Sequence, residues 1–235
     1  MKDILGRISS EESMGLLDGP GIRYVVFLQG CKLRCMYCHN PETWDEKGES
    51  YTTSASELVS KIERFKKYFG KDGGVTFSGG EPLRQPEFLL ECLKLCKEKN
   101  THTALDTAGV GIGEYDEILK YTDLVILDVK STEEEEYKKL TGQPMKAFYN
   151  FLNACQNQGN KLWLRQVIVP NFNDNKESVL RLKRFAKKLK NVEKIELLPY
   201  KNIAKEKYKN LGIVYRLEGV EDMDEEKCKE LEKLL

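Results

Sequence analysis

The apolar run Tyr24-Val25-Val26-Phe27-Leu28 leads through Gln29-Gly30 into Cys31-Lys32-Leu33-Arg34-Cys35-Met36-Tyr37-Cys38. The run is apolar throughout rather than alternating, which is typical of a parallel strand buried on both faces. Leu124-Val125-Ile126-Leu127 and Leu162-Trp163-Leu164 have the same pattern. These runs predict a parallel sheet with covered faces. They also place three cysteines just after the carboxyl end of its first strand.

Short apolar runs of this kind alternate along the chain with segments of helical period. Six strands are predicted, at 23–28, 74–77, 102–106, 123–128, 161–169 and 192–198. Helices are predicted at 86–99, 113–121, 132–140, 145–158, 175–189 and 222–235, and one more begins at Ser54. Strand–helix alternation predicts an α/β fold, a parallel sheet with outer helices. A complete eight-fold barrel takes about 250 residues, so six strands favour an incomplete barrel or a doubly wound sheet.

Length and charge narrow the class of protein. The chain has 235 residues with 38 Lys and Arg against 38 Asp and Glu, a balance that argues against nucleic-acid or membrane binding. No linker divides it, so a single domain over 1–235 is expected, with a core at about 20–200 and a C-terminal helix at about 222–235. No apolar run approaches the roughly 20 residues of a membrane span. Met1–Arg7 lacks the apolar stretch of a secretion signal, so a cytoplasmic location is expected.

The three clustered cysteines suit a metal better than disulfides, because the total of seven is odd and the chain is not small. Structural zinc usually takes four ligands from two separated pairs, and no second pair has that spacing. His39 is adjacent to Cys38 and would hardly reach the same ion. Three thiolates on a four-iron cluster would leave one iron open to a small molecule. A cluster is favoured, with structural zinc as the alternative.

Three further groups of residues follow predicted strands. Ser78-Gly79-Gly80-Glu81-Pro82 follows the second, Asp106-Thr107 closes the third, and Asp128-Val129-Lys130 closes the fourth. Paired glycines allow close backbone approach to a ligand, although a plain turn would look the same. Charged residues at strand ends are often simple solvent-facing termini. Because carboxyl ends of parallel strands share one edge, these groups are expected around one mouth.

The Cys-x3-Cys-x2-Cys loop, with an aromatic residue before its last cysteine, resembles that of the radical S-adenosylmethionine (SAM) superfamily. The resemblance implies one [4Fe-4S] cluster on Cys31, Cys35 and Cys38 and SAM bound at the open iron. It implies that an electron from the cluster cleaves SAM to methionine and a 5′-deoxyadenosyl radical. It also implies that Tyr37 lies beside the adenine and that the Gly79-Gly80-Glu81 segment binds the cofactor's amino group.

Other positions take roles by the same resemblance. Lys130 is expected to pair with the cofactor's carboxylate. Lys201 stands where the glycyl-radical-enzyme activases of this superfamily usually have a histidine that contacts the cofactor. The complete expected SAM-binding set is Tyr37, Cys38, His39, Gly79, Gly80, Glu81, Asp106, Asp128, Val129, Lys130 and Lys201. Asp106, Thr107 and Asp128 also resemble the oxygen ligands of a monovalent cation, Na⁺ or K⁺.

The finer resemblance is to the single-cluster glycyl-radical-enzyme activases that act on pyruvate formate-lyase. It covers nearly the whole chain. The matching stretches are Asp18-Gly19-Pro20-Gly21-Ile22-Arg23, Gln29-Gly30-Cys31, Tyr37-Cys38-His39-Asn40-Pro41, Leu105-Asp106-Thr107 and Glu196-Leu197-Leu198-Pro199-Tyr200. It implies a partial (β/α)6 barrel and hydrogen abstraction from a glycine of that lyase. A flavodoxin or ferredoxin is implied as reductant, and a monomer is expected.

Alternative interpretations remain. One is activation of another glycyl-radical enzyme, such as a ribonucleotide reductase, and a second is a radical SAM enzyme of a small molecule. A third is a structural zinc module. No cysteine lies at 40–80, which disfavours activases with a ferredoxin-like insert. Cys92, Cys96, Cys155 and Cys228 are expected to be buried apolar residues, and Trp44 is expected to serve packing.

Overall fold

The computed structural model describes residues 3–113 and 115–235; Met1 and Lys2, in the predicted N-terminal segment, and Glu114, in the predicted helix at 113–121, lie outside them. The fold is built on one eight-stranded sheet with the strand order β3-β1-β2-β4-β5-β6-β7-β8. The strands are β1 (Leu5–Gly15), β2 (Arg23–Leu28), β3 (Tyr51–Ser54), β4 (Gly74–Gly79), β5 (His102–Thr107), β6 (Leu124–Asp128), β7 (Lys161–Ile168) and β8 (Val192–Pro199).

The six strands predicted from the sequence are confirmed, each within two residues of its expected bounds. β2, β4, β5, β6, β7 and β8 are parallel neighbours in that order. Val25, Val75 and Val125 are fully buried, as continuous apolar runs require. Among the described residues the edge strands β3 and β8 do not pair, so the sheet is open and forms a partial barrel.

Two strands of the sheet, β1 and β3, are not among those predicted from the sequence. β1 and β3 extend the sheet beyond β2 as antiparallel strands. β1 reads Leu5-Gly6-Arg7-Ile8-Ser9-Ser10-Glu11-Glu12-Ser13-Met14-Gly15, and apart from Gly15 only Gly6 and Ile8 are buried in it. β1 lies between β3 and β2, but most of its residues are partly or fully exposed and polar, and β3 is only four residues long. Neither strand therefore has a continuous apolar run.

Helices cover the outer face of the parallel strands. They are α1 (Ala55–Glu63), α2 (Lys66–Phe69), α3 (Pro86–Glu98), α4 (Asp116–Lys120), α5 (Glu134–Thr141), α6 (Lys146–Gln158), α7 (Lys176–Ala186), α8 (Lys205–Asn210) and α9 (Glu225–Glu232). The helix predicted to begin at Ser54 is confirmed as α1, and it begins with a capping box, since the Ser54 hydroxyl accepts from the Glu57 amide and the Glu57 carboxylate accepts from the Ser54 amide. The short α2 and α8 were not predicted.

The carboxyl ends of the parallel strands meet at one end of the sheet, where the cysteine loop, Gly79-Gly80, Asp106-Thr107 and Asp128 emerge. α9 packs against β8, where the Leu197 amide donates to Glu232 at 2.9 Å, and this places the C-terminal helix on the outside. No helix of the described residues is long and apolar enough to cross a membrane.

Candidate cofactor site

A cavity of about 440 Å³ opens at the carboxyl ends of the parallel strands, and we call it the inner cavity. Its size falls in the usual range of about 300–1,000 Å³ for small-molecule sites. It brings together most of the predicted site residues. Those lining it are Cys31, Cys35, Tyr37, Cys38, His39, Gly79, Gly80, Asp106, Thr107, Asp128 and Lys130. Glu81, Val129 and Lys201 are not among its lining residues.

The cysteine loop is held in place by backbone hydrogen bonds to two other parts of the chain. The Arg34 and Met36 amides donate to the last carbonyls of α5, those of Thr141 and Leu140, at 2.8 and 2.9 Å. The Cys31 amide donates to the Trp44 carbonyl at 3.2 Å. Carbonyls at the carboxyl end of a helix have no hydrogen-bond partner within the helix, so the loop amides also supply the donors that these α5 carbonyls lack. The thiols are therefore fixed before any metal binds.

The thiols of the loop are free and poorly reactive on their own. Burial raises the pKa of Cys35 to about 12, and burial also raises the pKa values of Cys31 and Cys38. Neutral thiols are weak ligands, and a bound metal deprotonates them because its positive charge outweighs their desolvation. Three buried thiols facing one cavity are thus a donor set for soft metal ions such as those of an iron–sulfur cluster.

Gly79 and Gly80 line the cavity with backbone alone. Gly79 has φ +117°, in the region that favours glycine. A Cβ on Gly80 would lie 2.5 Å from the Gly30 carbonyl oxygen and 3.0 Å from that of Thr43. The chain here passes directly against the start of the cysteine loop, and the Glu81 amide donates to Gly30 at 2.9 Å. The two glycines therefore join the second parallel strand to the cysteine loop, and they line the inner cavity without a side chain.

Glu81 has a supporting role in the geometry of the site. Its side chain is buried and accepts from the Thr107 hydroxyl at 2.5 Å and from the Ala108 amide at 3.0 Å. It also accepts from the Leu83 amide at 3.2 Å. Burial raises the pKa of this carboxyl, and these donors offset only part of the rise. Glu81 thus fixes the loop after β5 and with it Thr107, rather than facing the cavity.

Asp106 is the most strongly desolvated carboxyl of the cavity. Burial raises its pKa to about 6, the Arg165 guanidinium opposes that rise, and Asp128 adds to it. The Ser78 hydroxyl donates to Asp106 at 2.9 Å. Arg165 itself pairs with Glu196 at 2.8 Å. A positively charged ligand beside Asp106 would lower this pKa and favour the charged form further.

Lys130, Asp128 and Tyr37 form a buried polar group with unfilled hydrogen-bonding capacity. The Lys130 ammonium pairs with one oxygen of Asp128 and lies 5.2 Å from the centre of the Tyr37 ring. Burial acts against the ammonium, but the Asp128 carboxylate beside it raises the Lys130 pKa well above its usual range. Asp128 Oδ1 and the Tyr37 hydroxyl are buried without a partner among the described residues. Such atoms at a cavity wall are expected where a polar ligand binds.

The three remaining predicted positions are placed differently. His39 lines the cavity, and its Nε2 lies 2.9 Å from the Lys201 carbonyl oxygen. The Lys201 ammonium pairs instead with Glu225 of α9 at 2.7 Å. Val129 is fully buried, with its amide donating to the Arg165 carbonyl at 2.7 Å. Contacts of Lys201 and Val129 with a cofactor stay predictions.

Asp18 and Trp44 are among the cavity residues that were not singled out as site residues from the sequence. Asp18 lines the cavity although it precedes β2 and so enters from the amino ends of the strands; its carbonyl accepts from Thr76 at 2.6 Å. Trp44 was expected to serve packing, and it does contact Tyr208 with ring centres 5.7 Å apart. It also lines the inner cavity. The signal for Asp18 was its place in the Asp18–Arg23 motif.

The residues fit the cofactors that the sequence implies. Three free thiols in one fixed loop can hold a cluster with one open iron. The inner cavity beside Gly79 and Gly80 offers space to a polar molecule, and the unpartnered Asp128 and Tyr37 oxygens offer it hydrogen bonds. The Lys130 ammonium suits a carboxylate of that molecule.

Fold and site together define a radical SAM protein, a parallel partial barrel with a three-cysteine loop at the carboxyl end of its first parallel strand. In agreement, the model of the Radical SAM superfamily matches residues 25–182.

Two curated relatives, both named pyruvate formate-lyase-activating enzyme, narrow the class. That of Clostridium pasteurianum is 56% identical over 99% of this chain and 98% of its own, and that of Staphylococcus epidermidis is 43% identical over 96% and 93%. A solved domain of such an enzyme from Bacteroides vulgatus shares the fold, with a TM-score of 0.56 and 24% identity over 69% of this chain and 92% of its own. The chain belongs to the pyruvate formate-lyase-activating enzymes of the radical SAM superfamily.

Proposed function

We propose that the protein activates pyruvate formate-lyase by removing a hydrogen atom from one of its glycines, which leaves a glycyl radical on that partner. When bound, the [4Fe-4S] cluster and SAM supply the electron and the 5′-deoxyadenosyl radical for this step. The observation that carries the proposal is that three free cysteines and the backbone of Gly79 and Gly80 line the same inner cavity. Identity of 56% over nearly the full length of an enzyme with that name supports the choice of partner.

The chain's own residues hold and orient the cofactors. We assign Cys31, Cys35 and Cys38 to the cluster and the backbone of Gly79 and Gly80 to the amino end of SAM. Lys130 is assigned to the carboxylate of SAM, because its charge is already held at the cavity wall by Asp128. Tyr37 and His39 lie at the same wall and are assigned to the adenosine part.

A monovalent cation, Na⁺ or K⁺, is proposed at Asp106, Thr107 and Asp128. Asp106 and Asp128 are two carboxylates at one cavity wall, and Asp128 Oδ1 has no partner among the described residues. Oxygen ligands suit a hard cation. The Thr107 hydroxyl already donates to Glu81 and accepts from the Gly109 amide at 2.9 Å, so its carbonyl is the freer ligand.

The reductant proposed is a flavodoxin or ferredoxin, because the cluster must receive its electron from outside the chain. We also propose a cytoplasmic location and a monomer. All seven cysteines are free, which suits a reducing compartment.

The test is electron paramagnetic resonance of the anaerobically reconstituted protein mixed with SAM, a reductant and pyruvate formate-lyase. We expect a glycyl doublet on the lyase, dependent on both SAM and this protein. Absence of the doublet with intact cluster and cleaved SAM would contradict the choice of partner. SAM cleavage coupled to a small substrate, with no protein partner, would favour the small-molecule alternative.

Lys201 offers a prediction about cofactor binding. Because its ammonium pairs with Glu225 outside the cavity, Lys201→Ala is expected to change the Kd for SAM by no more than about threefold, since exposed ion pairs and their loss matter little. Lys130→Ala, which removes the buried cation, is expected to raise the same Kd at least about tenfold. Isothermal titration calorimetry, with SAM titrated into the cluster-loaded protein, measures the Kd of both variants. Equal losses in the two variants would show that Lys201 reaches the cofactor.

A further inference from the structure

The cysteine loop separates two cavities. Besides the inner cavity, a second cavity of about 960 Å³, which we call the outer cavity, lies on its other side. Cys31, Cys35 and Trp44 line both. Between the cysteines the loop alternates, since Leu33 and Tyr37 face only the inner cavity whereas Lys32, Arg34 and Met36 face only the outer one. The wall between the cofactor site and the outer cavity is therefore one loop thick.

The charges of the outer cavity are unequally compensated. Four cations line it, Lys32, Lys47, Arg34 and Arg216, and none forms an ion pair within residues 3–113 and 115–235. The guanidinium groups of the two arginines bind main-chain carbonyls instead, and that of Arg34 also lies 4.9 Å from the centre of the Trp44 ring.

The cavity also has four carboxylates, but two are already neutralised. Glu42 pairs with Lys207 at 2.5 Å, and Glu46 pairs with Arg84. Asp45 and Glu49 are the two that remain without an ion pair in the described part of the chain. Four uncompensated cations against two uncompensated carboxylates favour an acidic partner.

An apolar edge lies beside these charges. Leu211 and Val214, in the segment that follows α8, line the outer cavity and are 46% and 83% exposed. Exposed apolar groups rimmed by charge are typical of protein-interaction sites. A small polar metabolite would make no use of such an edge.

We propose that the outer cavity is the docking surface for the protein that reduces the cluster, an acidic electron-transfer protein whose redox cofactor lies at its surface. In the step itself the donor loses one electron and the cluster gains one, with no bond formed or broken. The inference rests on the proposed function, which requires an external electron. It adds that the electron enters through the loop face that carries Lys32 and Arg34. The inner cavity stays free for SAM and the glycine of the lyase.

The test uses the double charge reversal Lys32→Glu with Lys47→Glu in the cluster-loaded protein. Both side chains are exposed and make no hydrogen bond within the described residues, so the fold should be retained. The matched control is Lys71→Glu with Lys187→Glu, which makes the same change of net charge at two exposed lysines on segments that lead to the amino ends of strands. Binding of a reduced acidic flavodoxin is measured by titration, and cluster reduction by stopped-flow absorbance.

We expect the Lys32/Lys47 variant to bind flavodoxin at least about tenfold more weakly, with a tenfold slower reduction at low salt and a flatter salt dependence. Reduction by photoreduced deazaflavin, which needs no docking, should stay at the wild-type rate in both variants. Equal flavodoxin binding by the two variants would overturn the proposal, as would weakened binding of the lyase in place of flavodoxin. A wild-type protein that is reduced by deazaflavin yet forms no glycyl radical would refute the proposed function but leave the docking measurement intact.

Discussion

Replacing Cys35 with serine is expected to abolish both the cluster and glycyl radical formation. Cys35 is 8% exposed and faces the inner cavity from the middle of the loop. Serine has nearly the same size, so the loop should keep its hydrogen bonds to α5. A serine oxygen is a much poorer ligand than a thiolate for the irons of a cluster, and two cysteines cannot hold one. We expect the iron content to fall at least about tenfold and the radical yield about a thousandfold or more.

The control for that experiment is Cys228→Ser. Cys228 is equally buried, at 3% exposure, but lies on α9, where its thiol contacts the Leu197 carbonyl 3.9 Å away. It makes the same chemical change at a residue that lines neither cavity, so iron content and the absorbance of the cluster should match those of the wild type. Iron analysis after anaerobic reconstitution measures both variants. Retention of a full cluster by Cys35→Ser would contradict the ligand assignment.

The parallel part of the sheet could be predicted from the sequence because burial on both faces leaves a direct trace. Val25, Val26 and Leu28 have no exposed surface, and only apolar residues satisfy that environment. β1 leaves no such trace. It pairs with β2 through polar residues such as Glu11 and Glu12, and its conformation is set by the neighbouring strand. Tertiary pairing of this kind overrides local propensity.

The site was predictable where a motif directly follows a strand. The cysteine loop, Gly79-Gly80 and Asp128 meet at one cavity because parallel strands align their carboxyl ends. Asp18 and Lys201 show the limit of that rule. Asp18 reaches the cavity from the opposite end of the barrel through a loop contact with Thr76. The direction of the Lys201 ammonium depends on its ion pair with Glu225, which lies on α9, 24 residues further along the chain. The Asp18–Arg23 motif marks Asp18 without showing where it points, and no local pattern encodes the ion pair of Lys201.

Gly79 is a position where a single methyl group should strongly damage the scaffold, because it combines a positive φ with close main-chain packing. It pairs with Leu28 across β4 and β2, with φ +117°. A Cβ there would overlap the Leu28 amide nitrogen and carbonyl oxygen and lie 2.6 Å from the Phe27 carbonyl carbon. All three are main-chain atoms of a central strand, which cannot rotate away as a side chain could. Relief would require β2 and β4 to separate at the point where the cysteine loop begins.

Gly79→Ala is therefore expected to lower the free energy of unfolding by about 3 kcal/mol or more, from the dihedral strain and the overlap together. Binding of SAM should be lost in parallel, because the residue lines the cavity. Gly212→Ala is the control for a positive φ without close packing, since Gly212 has φ +66°, in the left-handed region, and no atom within 4 Å of the added Cβ. That control should cost only about 1 kcal/mol, the dihedral part alone. Urea unfolding of both variants, followed by titration with SAM, measures the difference. Equal stability of the two would mean that β2 and β4 yield readily at this point, and that Gly79 is required for its dihedral rather than for close packing.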